Sequence, residues 1–256
     1  MPFASGIHYT SHTDDTKHRP PLLLIHGAGG NHLTWHPYIR RMSGVTVYAL
    51  DLPGHGQSEG VGRSSIEEYA RDVLNFMDVL EIGKAIVAGL SMGSAITLTL
   101  ALNHPGRLQG MILMGGGAKM RVAKSILETA GHAETFPSAV ENINTNCFSA
   151  QASPDLVQLS RQAMLKMNPP ALLGDFQACN QFDVTAQLSG IQRPTLIICG
   201  AEDVMTPPRF SQSLSDQIPN SRLHILEKTG HMVTLEQPEL VVELLKQFMD
   251  DLPLQP

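Results

Sequence analysis

Six short, almost purely apolar runs punctuate the chain, and stretches with helical spacing separate them. The runs are "PLLLIHG" at 21–27, "VTVYALD" at 45–51, "AIVAGL" at 85–90, "GMILMGG" at 110–116, "TLIICGAED" at 195–203 and "RLHILEKTGH" at 222–231. A strand with one wet face alternates polar and apolar residues, whereas a strand covered on both faces stays apolar throughout. Most of these runs are of the second kind and predict a parallel sheet, which needs crossover helices. Two such helices are plain. "SSIEEYARDVLNFMDVL" opens with Ser64 and Glu67 at capping-box spacing and places Ile66, Tyr69, Ala70, Val73, Leu74 and Met77 on one face. "QPELVVELLKQFMDDL" has Pro238 near its first turn and an apolar stripe of Leu240, Val241, Leu244, Leu245 and Phe248. The expected fold is α/β: a doubly wound, mostly parallel sheet flanked by helices, with functional loops at the carboxyl ends of its strands.

Between about 118 and 188 the strand rhythm stops, and Pro137, Pro154, Pro169 and Pro170 break a helix-like segment. This segment reads as a small helical cap over 118–188, inserted into a core made of 1–117 and 189–256. A chain of 256 residues suffices for one full core with such an addition. With 18 basic against 24 acidic residues there is no electrostatic footprint for nucleic acid. Cys147, Cys179 and Cys199 are odd in number and widely spaced, so they read as buried thiols of a reducing compartment. The beginning "MPFASGIHYTSHTDD" shows no basic and apolar leader pattern, and no apolar run approaches the ~20 residues that span a bilayer. A cytoplasmic protein without stable membrane insertion is expected. No sequence feature assigns an oligomeric state.

Against this frame "GLSMG" at 89–93 stands out, because it places Ser91 between two glycines where an apolar strand meets the helical "SAITLTLALNHP". The glycines permit a sharp turn that holds a hydroxyl at the start of a helix, where unpaired N–H groups can stabilise an oxyanion. A plain strand-to-helix turn containing serine has the same local sequence. A nucleophilic serine needs a base, and the base an orienting acid. Asp203 follows "TLIICG" and His231 follows "LHILEKTG", giving Ser, Asp and His in order on three separate strand ends. The glycine-rich "HGAGGNH" at 26–32 offers Ala28 as a second N–H donor beside Met92. It is not a dinucleotide fingerprint, since His32 stands where the third glycine belongs, and Gly116 replaces the lysine a phosphate loop requires after Gly110 and Gly115.

"HGAGG", "DLPGHGQS", "GLSMGS", "GAEDVMTP" and "GHMVTLEQPE" together resemble the α/β-hydrolase superfamily, in particular its small, capped, esterase-like members, over residues 21–250. The resemblance implies an eight-stranded type of sheet, Ser91 as nucleophile, His231 as general base and acid, Asp203 as its orienting partner, and backbone donors at Ala28 and Met92. Ser94 departs from a second glycine common in relatives and is small enough to keep the fold. The implied activity is hydrolysis of short to medium acyl esters through an acyl-enzyme, with a small-molecule substrate and no cofactor or metal. The alternatives are a C–C bond or enol-lactone hydrolase with the same triad, and a ligand receptor that turns over slowly. The glycine–proline loop of many C–C hydrolases is missing from "HGAGGNH".

Other candidates have plainer readings. His32 and His36 have i, i+4 spacing, yet no glutamate follows His32 and Pro37 interrupts a helix there, so a metal site is not expected. His26 and His55 flank the expected site and read mainly as ligands of loop backbone; His26 and Gly27 also stand as substrate-binding candidates. Glu202 is the local rival of Asp203, and Ser58 reads as a turn residue. Met120, Phe148, Met164, Met167, Phe176 and Phe182 either line an acyl pocket or fasten the cap to the core.

Overall fold

All six apolar runs form strands in the computed structural model, which describes residues 2–14, 16 and 18–252. The eight strands among the described residues are β1 (Phe3–Ala4), β2 (Ile7–His12), β3 (Leu22–Ile25), β4 (Val47–Leu50), β5 (Ala85–Leu90), β6 (Leu108–Met114), β7 (Thr195–Gly200) and β8 (Ser221–Leu226). They lie in the order β1-β2-β4-β3-β5-β6-β7-β8. Only the first two are antiparallel to their neighbours; β4 through β8 pair in parallel. Every residue of β3, β5, β6 and β7 is buried, as the unbroken apolar runs require. β8 differs: it closes one edge of the sheet, and its Ile225 is exposed. The β1–β2 hairpin has no apolar run, and pairing with β4 is what makes it a strand.

The helices are α1 (Pro37–Arg40), α2 (Ile66–Val79), α3 (Met92–Asn103), α4 (Lys124–Thr129), α5 (Phe136–Cys147), α6 (Pro154–Met164), α7 (Pro169–Gln181), α8 (Pro208–Gln217), α9 (Val233–Glu236) and α10 (Pro238–Asp250). One face of the sheet packs Tyr69, Phe76, Leu98 and Leu214 from α2, α3 and α8. The other packs Trp35 with Leu245 and Phe248 of α10. Each such fully buried side chain contributes roughly 1.5–3 kcal/mol of burial free energy. Between β6 and β7, helices α4 to α7 build a smaller cluster of their own around Val140, Ile143, Leu172 and Phe176, above the isolated bridge between Lys119 and Asp183. Residues 1, 15, 17 and 253–256 of the expected core lie outside the described residues. No helix among the described residues is long and apolar enough to cross a membrane.

Several local expectations shift. Ser65 rather than Ser64 caps α2: its backbone is extended, and its hydroxyl accepts from the Glu68 N–H at 3.2 Å. That register buries Phe76, while Leu74 is only half-buried. In α10 Leu240 is exposed and Met249 takes its place in the core. Pro37, Pro137, Pro154, Pro169 and Pro170 all sit in first helical turns, where a missing N–H costs nothing. They start helices rather than break them.

Candidate active site

β4 and β5 leave β3 on opposite sides, so the chain order reverses there and the loops after β3 and β5 diverge into a crevice. Ser91 stands at its edge. Its backbone, at φ 56° and ψ −115°, joins β5 directly to α3, and its N–H donates to Met114 O at 2.8 Å. Few non-glycine residues adopt a positive φ, and one at this corner is held by its surroundings. Both flanking glycines are required by close approach. A Cβ on Gly89 would lie 2.0 Å from Gly93 O, and one on Gly93 would lie 2.2 Å from Ile25 O. α3 therefore runs against β3 and β5 with buried residues on all sides.

Asp203 and His231 meet beside this corner. Asp203 follows β7 and His231 follows β8; Asp203 Oδ2 accepts from His231 Nδ1 at 2.8 Å. The same carboxylate accepts the N–H groups of Met205 and Thr206, each at 2.9 Å, and the Thr206 hydroxyl at 2.8 Å. Burial alone would raise the Asp203 pKa, but His231 and the Thr206 donors hold it below the usual carboxylate value. Burial likewise pulls His231 down, but the charge of Asp203, its hydrogen bond and the charge of Glu236 together outweigh this and raise it. With Nδ1–H committed to Asp203, the free nitrogen is Nε2. Glu202 turns away, accepting from Ala150 N of the cap at 3.3 Å, which leaves Asp203 alone at the imidazole.

Ser91 and His231 line one cavity of about 440 Å³. Gly27 and Ala28 line it too, and neither the Ala28 nor the Met92 N–H has an acceptor among the described residues. The Ala28 N–H is aimed by its own peptide plane. Gly27 O accepts from Gly30 N at 3.0 Å and from His26 Nδ1 at 2.8 Å, so the trans peptide turns the Ala28 N–H the opposite way. His26 Nε2 accepts in turn from Leu52 N at 3.0 Å. Burial and the neighbouring His55 push the His26 pKa down to about 4, so the ring is neutral.

The cavity wall differs from the expected pocket at most positions, Met167 among them. Gly27, Met164 and Phe176 line it. His26 does not: it is fully buried behind the loop and works as a strut. Met120 and Phe182 pack into the core beneath the cap, and Phe148 packs into the cap's own cluster. The residues that take their place are Leu156, Leu159 and Ala163 on α6, with Met205, Met232 and Leu235 from the loops around Asp203 and His231. The α6 residues have i, i+3 and i+7 spacing, a helical stripe legible in "PDLVQLSRQAM". The ionisable groups in the wall are His231, Cys147 and Lys166. Burial pushes the Cys147 thiol up to about 12 and keeps it neutral; Lys166 is exposed at the rim. All three cysteines are buried free thiols.

Two carboxylates missed in the sequence tie this site to the cap. Glu236 accepts from Gly230 N at 3.0 Å and from Ser149 N at 2.9 Å. Asp175 of α7 accepts from Gly29 N at 2.9 Å, His55 Nε2 at 2.7 Å and the Tyr69 hydroxyl at 2.6 Å. His55 also meets Pro53 O at 3.0 Å, as expected of a loop ligand, but its second partner is this buried acid. His36 accepts from Tyr38 N at 3.3 Å to cap α1. His32 instead joins His8 and Asp51, three side chains whose ligand-type atoms lie within 4.8 Å. Asp51 already accepts from both rings and from the N–H groups of His32 and Gln57, so its lone pairs are filled and the cluster is a hydrogen-bond hub. Ser58 is part of the same turn, accepting from His8 N at 2.8 Å.

The sequence matches the family described as alpha/beta hydrolase fold over residues 20–238, and the chain belongs to that family. It is a hydrolase of the alpha/beta fold. Among its relatives, 3-oxoadipate enol-lactonase 1 of Acinetobacter baylyi is 25% identical over 239 residues, covering 91% of this chain and 90% of that one. A 2-hydroxymuconate semialdehyde hydrolase of Pseudomonas sp. strain CF600 is 28% identical, with 96% of this chain and 92% of that one covered. A thermophilic esterase of known structure is similar at a TM-score of 0.81 and 28% identity, with 95% and 98% of the two chains covered.

Proposed function

We propose that this protein is a serine carboxylesterase acting on uncharged short to medium acyl esters through an acyl-enzyme. The observation that carries the reading is the 2.8 Å Asp203–His231 pair beside a strained Ser91, with Ser91 and His231 in one largely apolar cavity. Neutral His231 takes the Ser91 proton on Nε2 as the oxygen attacks the ester carbonyl. The Ala28 and Met92 N–H groups receive the oxyanion, from preorganised positions that need no rearrangement during reaction. His231 then protonates the leaving alcohol, and water repeats the sequence on the acyl-enzyme. Asp203 fixes the tautomer and stabilises the imidazolium.

The neutral wall favours a neutral acyl group: a free carboxylate deep in the cavity would find no cation there, since Lys166 is at the rim. The lactone named for the Acinetobacter relative derives from a dicarboxylic acid, and such a substrate fits this wall less well. Steady-state hydrolysis of p-nitrophenyl esters from acetate to laurate, with the Ser91→Ala variant alongside, tests the reading. Repeated turnover that the variant loses is the expected result, with an optimum at short to medium chains. Turnover confined to carboxylated enol lactones or C–C substrates, or a single stoichiometric event, overturns it.

A further inference from the structure

We propose that Asp175, a cap residue, is a positioning residue for the oxyanion loop: by holding the Gly29 N–H it fixes the turn that aims the Ala28 N–H at the reacting oxygen. The inference rests on the esterase reading and concerns the same site. Residues 27–30 form a tight turn closed by Gly30 N to Gly27 O at 3.0 Å. His26 holds one side of it through Gly27 O, and Asp175 holds the next peptide through Gly29 N at 2.9 Å. The Ala28 N–H belongs to the first of these peptides, and with the next one also pinned the plane cannot swing, so this N–H has one direction left, into the cavity.

The acid is built for this place. It is fully buried, and its three donors come from three segments: Gly29 from the oxyanion loop, His55 from the loop after β4, and Tyr69 from α2. His55 faces an acceptor at each ring nitrogen, Pro53 O and Asp175 Oδ2, so the ring is held as an imidazolium that balances the carboxylate. The helix carrying Asp175 is pressed down at the same point. A Cβ on Gly174 would lie 2.6 Å from Arg63 O, and one on Gly29 would lie 2.8 Å from Leu172 Cδ1. Gly29 itself has φ +68°, a conformation other residues rarely adopt. The cap thus reaches the reaction through a hydrogen bond as well as through the substrate wall.

The test compares Asp175→Leu, which keeps the size of the side chain but has no acceptor for the Gly29 N–H, with Tyr69→Phe, which removes a different donor from the same carboxylate and leaves the Gly29 bond. Each is assayed for kcat and KM on the best p-nitrophenyl ester and for the second-order rate at which a fluorophosphonate labels Ser91; circular dichroism and thermal melting establish folding. Asp175→Leu is expected to lose about tenfold to a hundredfold in kcat and in labelling rate, with KM within about threefold, since a misplaced catalytic donor costs factors of this order. Tyr69→Phe is expected to stay within about threefold on both while melting earlier. A double variant, His55→Gln with Asp175→Leu, leaves no unpaired buried charge and no acceptor for the Gly29 N–H, and is expected to show the same kinetic loss. If the folded single or double variant matches wild type in kcat and labelling, Asp175 is only structural and the proposal is overturned. Wild type that is labelled but turns over no ester overturns the esterase reading while the labelling comparison still decides the role of Asp175. Wild type that is not labelled at all overturns both.

Discussion

In the proposed mechanism His231 links activity and stability with opposite signs. Burial lowers its pKa, but the Asp203 charge, the Asp203 hydrogen bond and the Glu236 charge together outweigh burial, so the folded value is raised above 6.5. The base must be neutral to accept the Ser91 proton, so kcat/KM is expected to fall as acid is added, beginning above pH 6.5. Stability runs the other way. A raised folded pKa means the ion pair contributes fully below the unfolded value and is lost as pH rises through the folded value. A pH–rate profile and denaturant melts over the same range check both arms, and a kcat/KM that is flat across the folded pKa removes His231 as base. Asp203 has the opposite shift, so its contribution is present above its unfolded pKa and disappears as pH falls through the lowered folded one. At this scale the sequence was legible where order and spacing mattered: Ser91, Asp203 and His231 sit on three strand ends as expected. Asp175 and Glu236 were not legible, because a lone acid in a helix looks the same whether it faces solvent or a buried N–H.

The β5–α3 corner depends on two glycines more than on its serine. Gly93→Ala would place a Cβ 2.2 Å from Ile25 O, backbone against backbone, where no side-chain rotation gives relief. A loss of about 3 kcal/mol or more is expected in chemical denaturation, in the range of the larger single-residue effects. A loss below about 1 kcal/mol would mean that the helix can shift freely from β3. α6 makes a different prediction. Its Leu156, Leu159 and Ala163 line the cavity, and Leu159 is largely exposed. Leu159→Trp is expected to move the acyl-chain optimum toward shorter esters at nearly unchanged stability, read from the same p-nitrophenyl series; an unmoved optimum would place the acyl group elsewhere. Elements were legible in proportion to their burial. β5, β6 and β7 are apolar throughout because both faces are covered, whereas the β1–β2 hairpin lacks such a run and depends on β4. The α2 cap moved by one residue because two adjacent serines present the same chemistry, and only the extended backbone of Ser65 selects between them.

In the whole molecule, the segment that carries α4 to α7 is bonded to the loop of Gly29 and to the loop of His231. Cys147 O accepts the N–H groups of His231 and Met232 at 2.9 and 3.1 Å, Glu236 spans Gly230 and Ser149, and Asp175 holds Gly29. A Cβ on Gly230 would lie 2.5 Å from Ser149 N, so cap and histidine loop are in backbone contact. Cap and core are therefore expected to unfold in one calorimetric transition, with calorimetric and van't Hoff enthalpies equal; two resolved transitions would show the cap to be an independent lid. What the sequence determined by itself is the parallel sheet and the order of Ser91, Asp203 and His231 on three strand ends, because burial on both faces and a sharp glycine-flanked turn leave local marks. The tertiary structure alone decided which residues wall the cavity, why His26 is a strut, and how Asp175 reaches the oxyanion loop. These depend on contacts between segments up to 146 residues apart, and the physical cause is that a buried polar group must find a partner wherever the fold brings one within reach.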